Sequence, residues 1–145
     1  MSETFKKKSE ELKKKFQSFG SIDARYHALI ELGKTLPPYP SELKTPNRIV
    51  SGCQSILHLN ASLNDGKIFF EATSDALISA GLAALLLTVY NGETPETLLT
   101  CPPSFLSELG IIGQLSPNRS NGLAHIHLRM KQLAIAFAIQ KSANQ

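Results

Sequence analysis

The sequence contains no tryptophan, and among its 145 residues only Cys53 and Cys101 are cysteines. These two lie far apart, with no cysteine or histidine at metal-ligand spacing around them. A domain of this length buries roughly two thirds of its unfolded surface, so its core needs neither a disulfide nor a metal. The low cysteine content predicts a cytoplasmic chain with reduced thiols, without a bound metal or a cofactor of its own.

The chain also lacks an apolar run long enough to span a membrane. The longest such run covers residues 76–90, whereas a transmembrane helix needs about 20 residues. The amino terminus has no apolar signal-peptide core, and its acidic residues are unusual in a transit peptide. We therefore expect no membrane interaction.

The positive net charge of +3 is confined to the amino terminus. Residues 1–19 carry six lysines and three glutamates, whereas the remaining chain has nine basic and nine acidic residues. The glutamates precede lysines by three or four positions, which is typical of a solvated helix face, although a basic contact surface stays open as an alternative. The aromatic residues that single-strand binding requires are not interleaved with these lysines, so nucleic-acid binding is not expected.

The pattern of apolar and turn residues predicts one α+β domain over residues 1–145, in which residues 1–19 form a basic helix. A cap residue, Ser21, begins the second helix, and Ser74-Asp75 is predicted to cap the central one. The predicted helices cover residues 3–18, the segment between Ser21 and Gly33, and residues 76–90, 94–101, 104–109 and 116–140.

Between the second and central helices the pattern is typical of strands. Residues 49–50 form a short apolar run, residues 56–63 alternate between two faces, and residues 67–72 form a return strand after a turn signal at residues 64–66. This predicts a small three-stranded antiparallel sheet packed against several helices. Cys53 lies in the break between the first two strands.

Cys53 is the residue best placed for chemistry. Gly52 removes a side chain beside it and allows a partner to approach closely. A loop cysteine can attack a sulfur–sulfur bond if it is accessible and partly anionic, and neighbouring backbone donors can supply the anionic character. The alternative is a buried structural cysteine, since free cysteines are among the most buried residues.

The other reactive side chains give weaker signals. Cys101 precedes two prolines at a helix end and is expected to be a bystander. The histidines form no evident metal site, since His125 and His127 point to different faces of a helix. Arg119 and Asp75 each lie at a helix start, where they either satisfy the helix terminus or line the cysteine loop or a partner surface.

Four separated motifs along the chain resemble, in their residues and their order, those of the SufE family of sulfur acceptors. Residues 47–55 look like that family's active-cysteine segment, with Cys53 as the persulfide-forming residue. The other three motifs lie at residues 25–37, 74–82 and 115–123. The resemblance covers about residues 20–138 and implies a SufE/IscU-like fold.

The resemblance implies a sulfur-transfer accessory protein rather than an enzyme. Its partner would be a pyridoxal-phosphate cysteine desulfurase of the SufS or CsdA kind, which leaves a persulfide on its own cysteine. Cys53 would accept the outer sulfur, stimulate the desulfurase by freeing it, and pass the sulfur to an iron–sulfur scaffold. The residues that the resemblance places beside Cys53 or at the partner surface are Gly52, Gln54, Ser55, Asp75 and Arg119.

One departure and three alternatives accompany this interpretation. The family usually has tryptophan where this chain has His58, which changes the packing expected under the cysteine loop. An iron–sulfur scaffold would need about three thiolate ligands, more than this chain offers. A partner-binding regulator with an inert Cys53 stays open, whereas a stand-alone thiol enzyme lacks a convincingly placed histidine base.

Overall fold

Within residues 2–143, the part of the chain that the computed structural model describes, five α-helices pack together with a hairpin of two antiparallel strands. Short 3-10 turns connect several of them. The helices are α1 (Glu3–Gln17), α2 (Ile22–Lys34), α3 (Leu77–Tyr90), α4 (Pro95–Thr100) and α5 (Pro117–Ala143), and the strands are β1 (Leu57–Asn64) and β2 (Lys67–Ser74).

The predicted helices are confirmed, except that residues 104–109 contain a 3-10 helix, Ser104–Glu108, instead of an α-helix. Hydroxyl side chains cap three of the α-helices. Ser2 accepts the backbone N–H of Phe5 at the start of α1, and Ser21 accepts that of Ala24 at the start of α2. Thr94 does the same for α4, whose first residue is a proline. Each hydroxyl satisfies a backbone donor that has no partner inside its helix, which fixes the helix start.

The predicted three-stranded sheet is wrong, because the structure has two strands. Ile49 forms only an isolated bridge to His58. The chain before it is a 3-10 turn, Pro46–Arg48, and Gly52 after it turns the backbone with a φ of +89°. Too little extended chain remains between these turns for a strand. The predicted hairpin turn is confirmed, since Asp65 has a φ of 54° between β1 and β2.

The predicted cap of the central helix is also wrong. Strand β2 extends to Ser74, and α3 has Ala76 as its cap residue without a side-chain hydrogen bond. The Ser74 hydroxyl donates to the carbonyl of Ile56 at 2.9 Å and accepts the N–H of Ala76 at 3.2 Å. It therefore ties the start of α3 to the residue that precedes β1.

Helix α3 is the centre of the core, as its apolar composition predicts. Nearly every residue from Gly81 to Tyr90 is buried. A Cβ added at Gly81 would lie 2.5 Å from the carbonyl oxygen of Leu29, and one added at Gly33 would lie 2.7 Å from the Gly81 nitrogen. The two glycines therefore let α2 and α3 cross with their backbones in contact.

A buried carboxylate fastens the basic α1 to the rest of the molecule. Glu93, only 3% exposed, accepts hydrogen bonds from the hydroxyls of Ser2 (2.6 Å) and Thr4 (2.8 Å). Lys8 completes the site with an ion pair at 2.7 Å. Burial raises the pKa of Glu93, but the bonds from Lys8, Ser2 and Thr4 outweigh it and hold that pKa below its usual range.

The opposite face of α1 packs its apolar residues into the core. Phe5, Leu12 and Phe16 recur at helical spacing and are all buried. None of the helices in residues 2–143 combines the length and apolarity that crossing a bilayer requires.

Candidate functional site

Cys53 lies on a short loop that is closed at its base by one backbone bond. The N–H of Val50 donates to the carbonyl of Leu57 at 2.9 Å, so the intervening residues project as a loop. The positive φ of Gly52 turns the chain and directs Cys53 toward α5. There the half-buried thiol donates weakly to the carbonyl of Gly122, with an S···O distance of 3.8 Å.

The surroundings of the Cys53 sulfur favour its protonated form. Burial raises the pKa of the thiol. The backbone donors expected to make it anionic do not reach it, because Sγ has the Gly122 carbonyl as its only hydrogen-bond partner among the described residues. Cys53 in the resting protein is therefore a sheltered thiol, packed against the buried apolar cluster.

A cavity of about 350 Å³ opens beside the thiol. Ile30 of α2, Leu82 of α3 and Ile126 of α5 contribute to its apolar part. Its polar lining includes Gln54, Ser55 and Arg119. Three of the predicted supporting residues thus share one cavity with Cys53, and the space accommodates an additional sulfur atom on the thiol.

The other two predicted supporting residues lie elsewhere. Asp75 is exposed and lines a separate cavity of about 190 Å³, together with Lys44 and His58. Gly52 lies outside the thiol cavity, with its α-carbon against the imidazole of His125. These positions fit a role for Asp75 at the molecular surface and a backbone role for Gly52.

Two residues of α5 that sequence reasoning did not associate with Cys53 contact its loop. A Cβ added at Gly52 would lie 2.5 Å from the Cγ of His125, so this ring rests directly on the loop. Arg129 donates to the carbonyls of Asn47 at 3.2 Å and Ile49 at 2.9 Å. Both contacts join residues far apart in the chain, and no local motif signals them.

His58 occupies the position where a larger aromatic residue was expected. It is half-buried and packs against Tyr39, with ring centroids 6.1 Å apart. Its contact with Tyr39 supports the start of β1 beneath the loop. His58 also lines the second cavity, together with Asp75.

The remaining thiol is part of the core. Cys101 is 3% exposed, and its carbonyl accepts a hydrogen bond from the hydroxyl of Tyr90 at 2.6 Å. Both cysteines are free. In the described part of the chain, no three His, Cys, Asp or Glu side chains lie close enough together to hold a metal ion.

Comparison with known proteins agrees with the motifs in the sequence. The model of the SufE Fe–S metabolism associated domain matches residues 10–134. An uncharacterised SufE-like protein of Synechocystis sp. is 37% identical over 128 residues, which are 88% of this chain and 80% of that protein. The sulfur acceptor protein CsdE of Escherichia coli is 37% identical over 117 residues, covering 79% of this chain and 80% of CsdE.

Two further matches extend the comparison. SufE-like protein 1 of Arabidopsis thaliana, described as chloroplastic/mitochondrial, is 34% identical over 134 residues, which are 92% of this chain but 36% of that protein. A solution structure from Thermus thermophilus, described as a hypothetical protein, superposes with a TM-score of 0.74 at 26% identity, covering 89% of this chain and 94% of that one. Together the matches confirm the resemblance that the four motifs indicate.

Proposed function

The chain belongs to the SufE family, and from this premise we propose that it accepts a persulfide sulfur on Cys53 from a pyridoxal-phosphate cysteine desulfurase. The observation that carries the proposal is the position of the thiol. Cys53 lies on a loop with a single backbone anchor at its base and faces a cavity with room for one more sulfur atom. The other thiol, Cys101, is 3% exposed and follows directly after α4 in the core, so it has no loop that could bring it to a partner.

The transfer is a thiol exchange that needs no oxidant or reductant. Cys53 first gives its proton to the solvent or to a base of the partner, because its raised pKa keeps it protonated at rest. The thiolate then attacks the outer sulfur of the partner's cysteine persulfide. A sulfur–sulfur bond forms at Cys53 as the partner's bond breaks, and the electron pair leaves on the partner's thiolate.

The cavity can hold the persulfide that forms on Cys53. A persulfide on Cys53 extends the side chain by one sulfur atom, and Leu82 and Ile126 supply an apolar lining for it. Shelter from solvent limits oxidation and loss of sulfide before the sulfur moves to an iron–sulfur scaffold. Removing the sulfur frees the desulfurase for another turnover, so the protein stimulates its partner without being an enzyme itself.

The surface around the loop fits a protein partner. Ile56, at the end of the cysteine loop, and Leu77, which lines the thiol cavity, are 55% and 57% exposed. Exposed apolar side chains of this size, with the guanidinium of Arg119 and the carboxylate of Asp75 nearby, are typical of an interface. A desulfurase of the SufS or CsdA kind is the proposed occupant.

The cytoplasmic location stays part of this proposal. It rests on the reduced thiols expected from the composition. Fractionation of the native host, with the protein detected by antibody, tests it directly.

Stimulation of a desulfurase tests the function. We expect wild-type protein to increase sulfide release from cysteine, and Cys53→Ser to bind the desulfurase without stimulating it. Cys101→Ala is the matched control, because it removes the other thiol, and it is expected to stimulate normally. Full stimulation by Cys53→Ser would instead identify a regulator with an inert cysteine, the alternative that the inward-facing, protonated thiol favours.

A further inference from the structure

We propose that His125 and Arg129 form a clamp that holds the Cys53 loop closed and thereby sets how often the thiol becomes available. This inference rests on the proposed function of Cys53, since it describes how access to that thiol is controlled. Both are positioning residues, because they act on the loop and do not touch the sulfur.

The clamp occupies one face of α5. Gly122, His125 and Arg129 follow one another at steps of three and four residues, so they point in the same direction from the helix. Along this face they meet the loop at the Cys53 thiol, at Gly52 and at the chain leading into the loop. One helix face therefore contacts the segment at successive points over two turns.

Arg129 fixes the entry to the loop. Its two terminal nitrogens donate to the carbonyls of Asn47, in the 3-10 turn before the loop, and of Ile49, directly after that turn. Hydrogen bonds from a charged donor are stronger than those from a neutral donor, and a paired set also fixes direction. The guanidinium therefore determines where the backbone lies just before it turns at Gly52.

His125 fixes the turn itself. Its ring lies against the α-carbon of Gly52, so close that any side chain there would overlap the ring. The loop carries little regular structure to hold it, since residues 51–55 belong to no helix or strand among the described residues. The contacts with α5 therefore support the closed loop, beside the packing of Cys53 against the core.

The rate at which a bulky maleimide labels Cys53 measures loop opening. A reagent too large for the cavity attacks the half-buried thiol mainly when the loop opens, so labelling reports the open fraction when the loop closes again quickly. We expect Arg129→Ala and His125→Ala each to accelerate labelling by about five- to tenfold, which corresponds to losing one or two modest contacts. His125→Phe retains a flat ring over Gly52 and is expected to label like wild type.

Two controls separate loop opening from general loosening. Lys131→Ala removes a positive charge from the same helix, and the described structure gives Lys131 no hydrogen bond to the loop. It is expected to leave the rate unchanged. Cys101 is an internal reporter in every variant, because it becomes labelled only when the core unfolds. Its labelling should stay equally slow throughout.

The outcomes distinguish the clamp from the function it serves. Unchanged labelling of Cys53 in both alanine variants, or equal acceleration of Cys101, overturns the clamp. Persulfide loading by a desulfurase is measured separately on the same proteins. If Cys53 is labelled faster in the alanine variants but none of the proteins gains a persulfide, the clamp is supported and the proposed sulfur transfer is overturned. If the proteins gain a persulfide but the labelling of Cys53 is unchanged, the sulfur transfer is supported and the clamp is overturned.

Discussion

Replacing Gly52 with alanine tests the packing around the cysteine loop in quantitative terms. With a φ of +89°, an alanine at this position adopts a conformation that costs an L-residue roughly 1–2 kcal/mol. Its methyl group would also lie 2.5 Å from the Cγ of His125. Overpacking costs about 1–3 kcal/mol, and the low end applies here because the exposed His125 ring can turn toward solvent.

The cost falls on the closed loop rather than on the core, since the loop can leave α5 without unfolding the helices. Together the two effects amount to about 2–3 kcal/mol, which is about 30- to 150-fold in the rate of Cys53 labelling. In a His125→Ala background the overlap is gone, and Gly52→Ala is expected to accelerate labelling by only about 5- to 30-fold. The difference is a coupling of about 1 kcal/mol.

Gly66 provides the matched control. Its φ is +77°, and an added Cβ would have no atom within 4 Å. Gly66→Ala should therefore lower the free energy of unfolding by roughly 1–2 kcal/mol in urea and leave the labelling of Cys53 unchanged. Equal effects of Gly52→Ala with and without His125, within about 0.5 kcal/mol, would refute the reasoning.

Three further predictions concern the core, the α1 contact and the thiol. Gly81→Ala should reduce the free energy of unfolding by about 1–3 kcal/mol, although alanine favours helices, because the methyl would overlap Leu29; an unchanged urea midpoint would contradict this. Glu93→Gln should cost about 1–3 kcal/mol at pH 7. Because the pKa of Glu93 is lowered by folding, wild type holds this advantage above the unfolded pKa of about 4.3 and loses it as pH falls through the lowered folded value. If the free energies of unfolding of wild type and Glu93→Gln differed by the same amount down to about pH 2, this role of Glu93 would be contradicted. The pH at which alkylation of Cys53 by a small reagent is half-maximal should be about 8.5 in urea and higher in the folded protein, because burial raises the pKa of the thiol. Identical pH profiles of the folded and unfolded protein would exclude this effect of burial.

The elements that follow from local chemistry were predictable from the sequence. The hairpin turn at residues 64–66 and the helix caps at Ser21 and Thr94 depend on neighbouring residues alone. The third strand was not predictable, because residues 49–50 look extended but lie between two turns. Ser74 is suited to both a strand end and a helix cap, and only the register of β2 decides between them.

The candidate site also has parts that the sequence predicts and parts that only the tertiary structure reveals. Cys53 and Arg119 were identified from motifs, and the structure brings them to one cavity. The contacts of His125 and Arg129 depend on how α5 lies across the loop, which no nearby residue reveals. The protonated state of the thiol likewise comes from burial by distant segments and not from the residues beside it.

The most direct test of the sulfur-acceptor function is the intact mass of the protein after incubation with a cysteine desulfurase and cysteine. We expect wild-type protein to gain one sulfur atom that a reductant removes, while Cys53→Ser gains none under the same conditions. Reductant-sensitive sulfur on Cys53→Ser, or none on wild type with a desulfurase that binds it, would contradict the assignment of Cys53 as the acceptor.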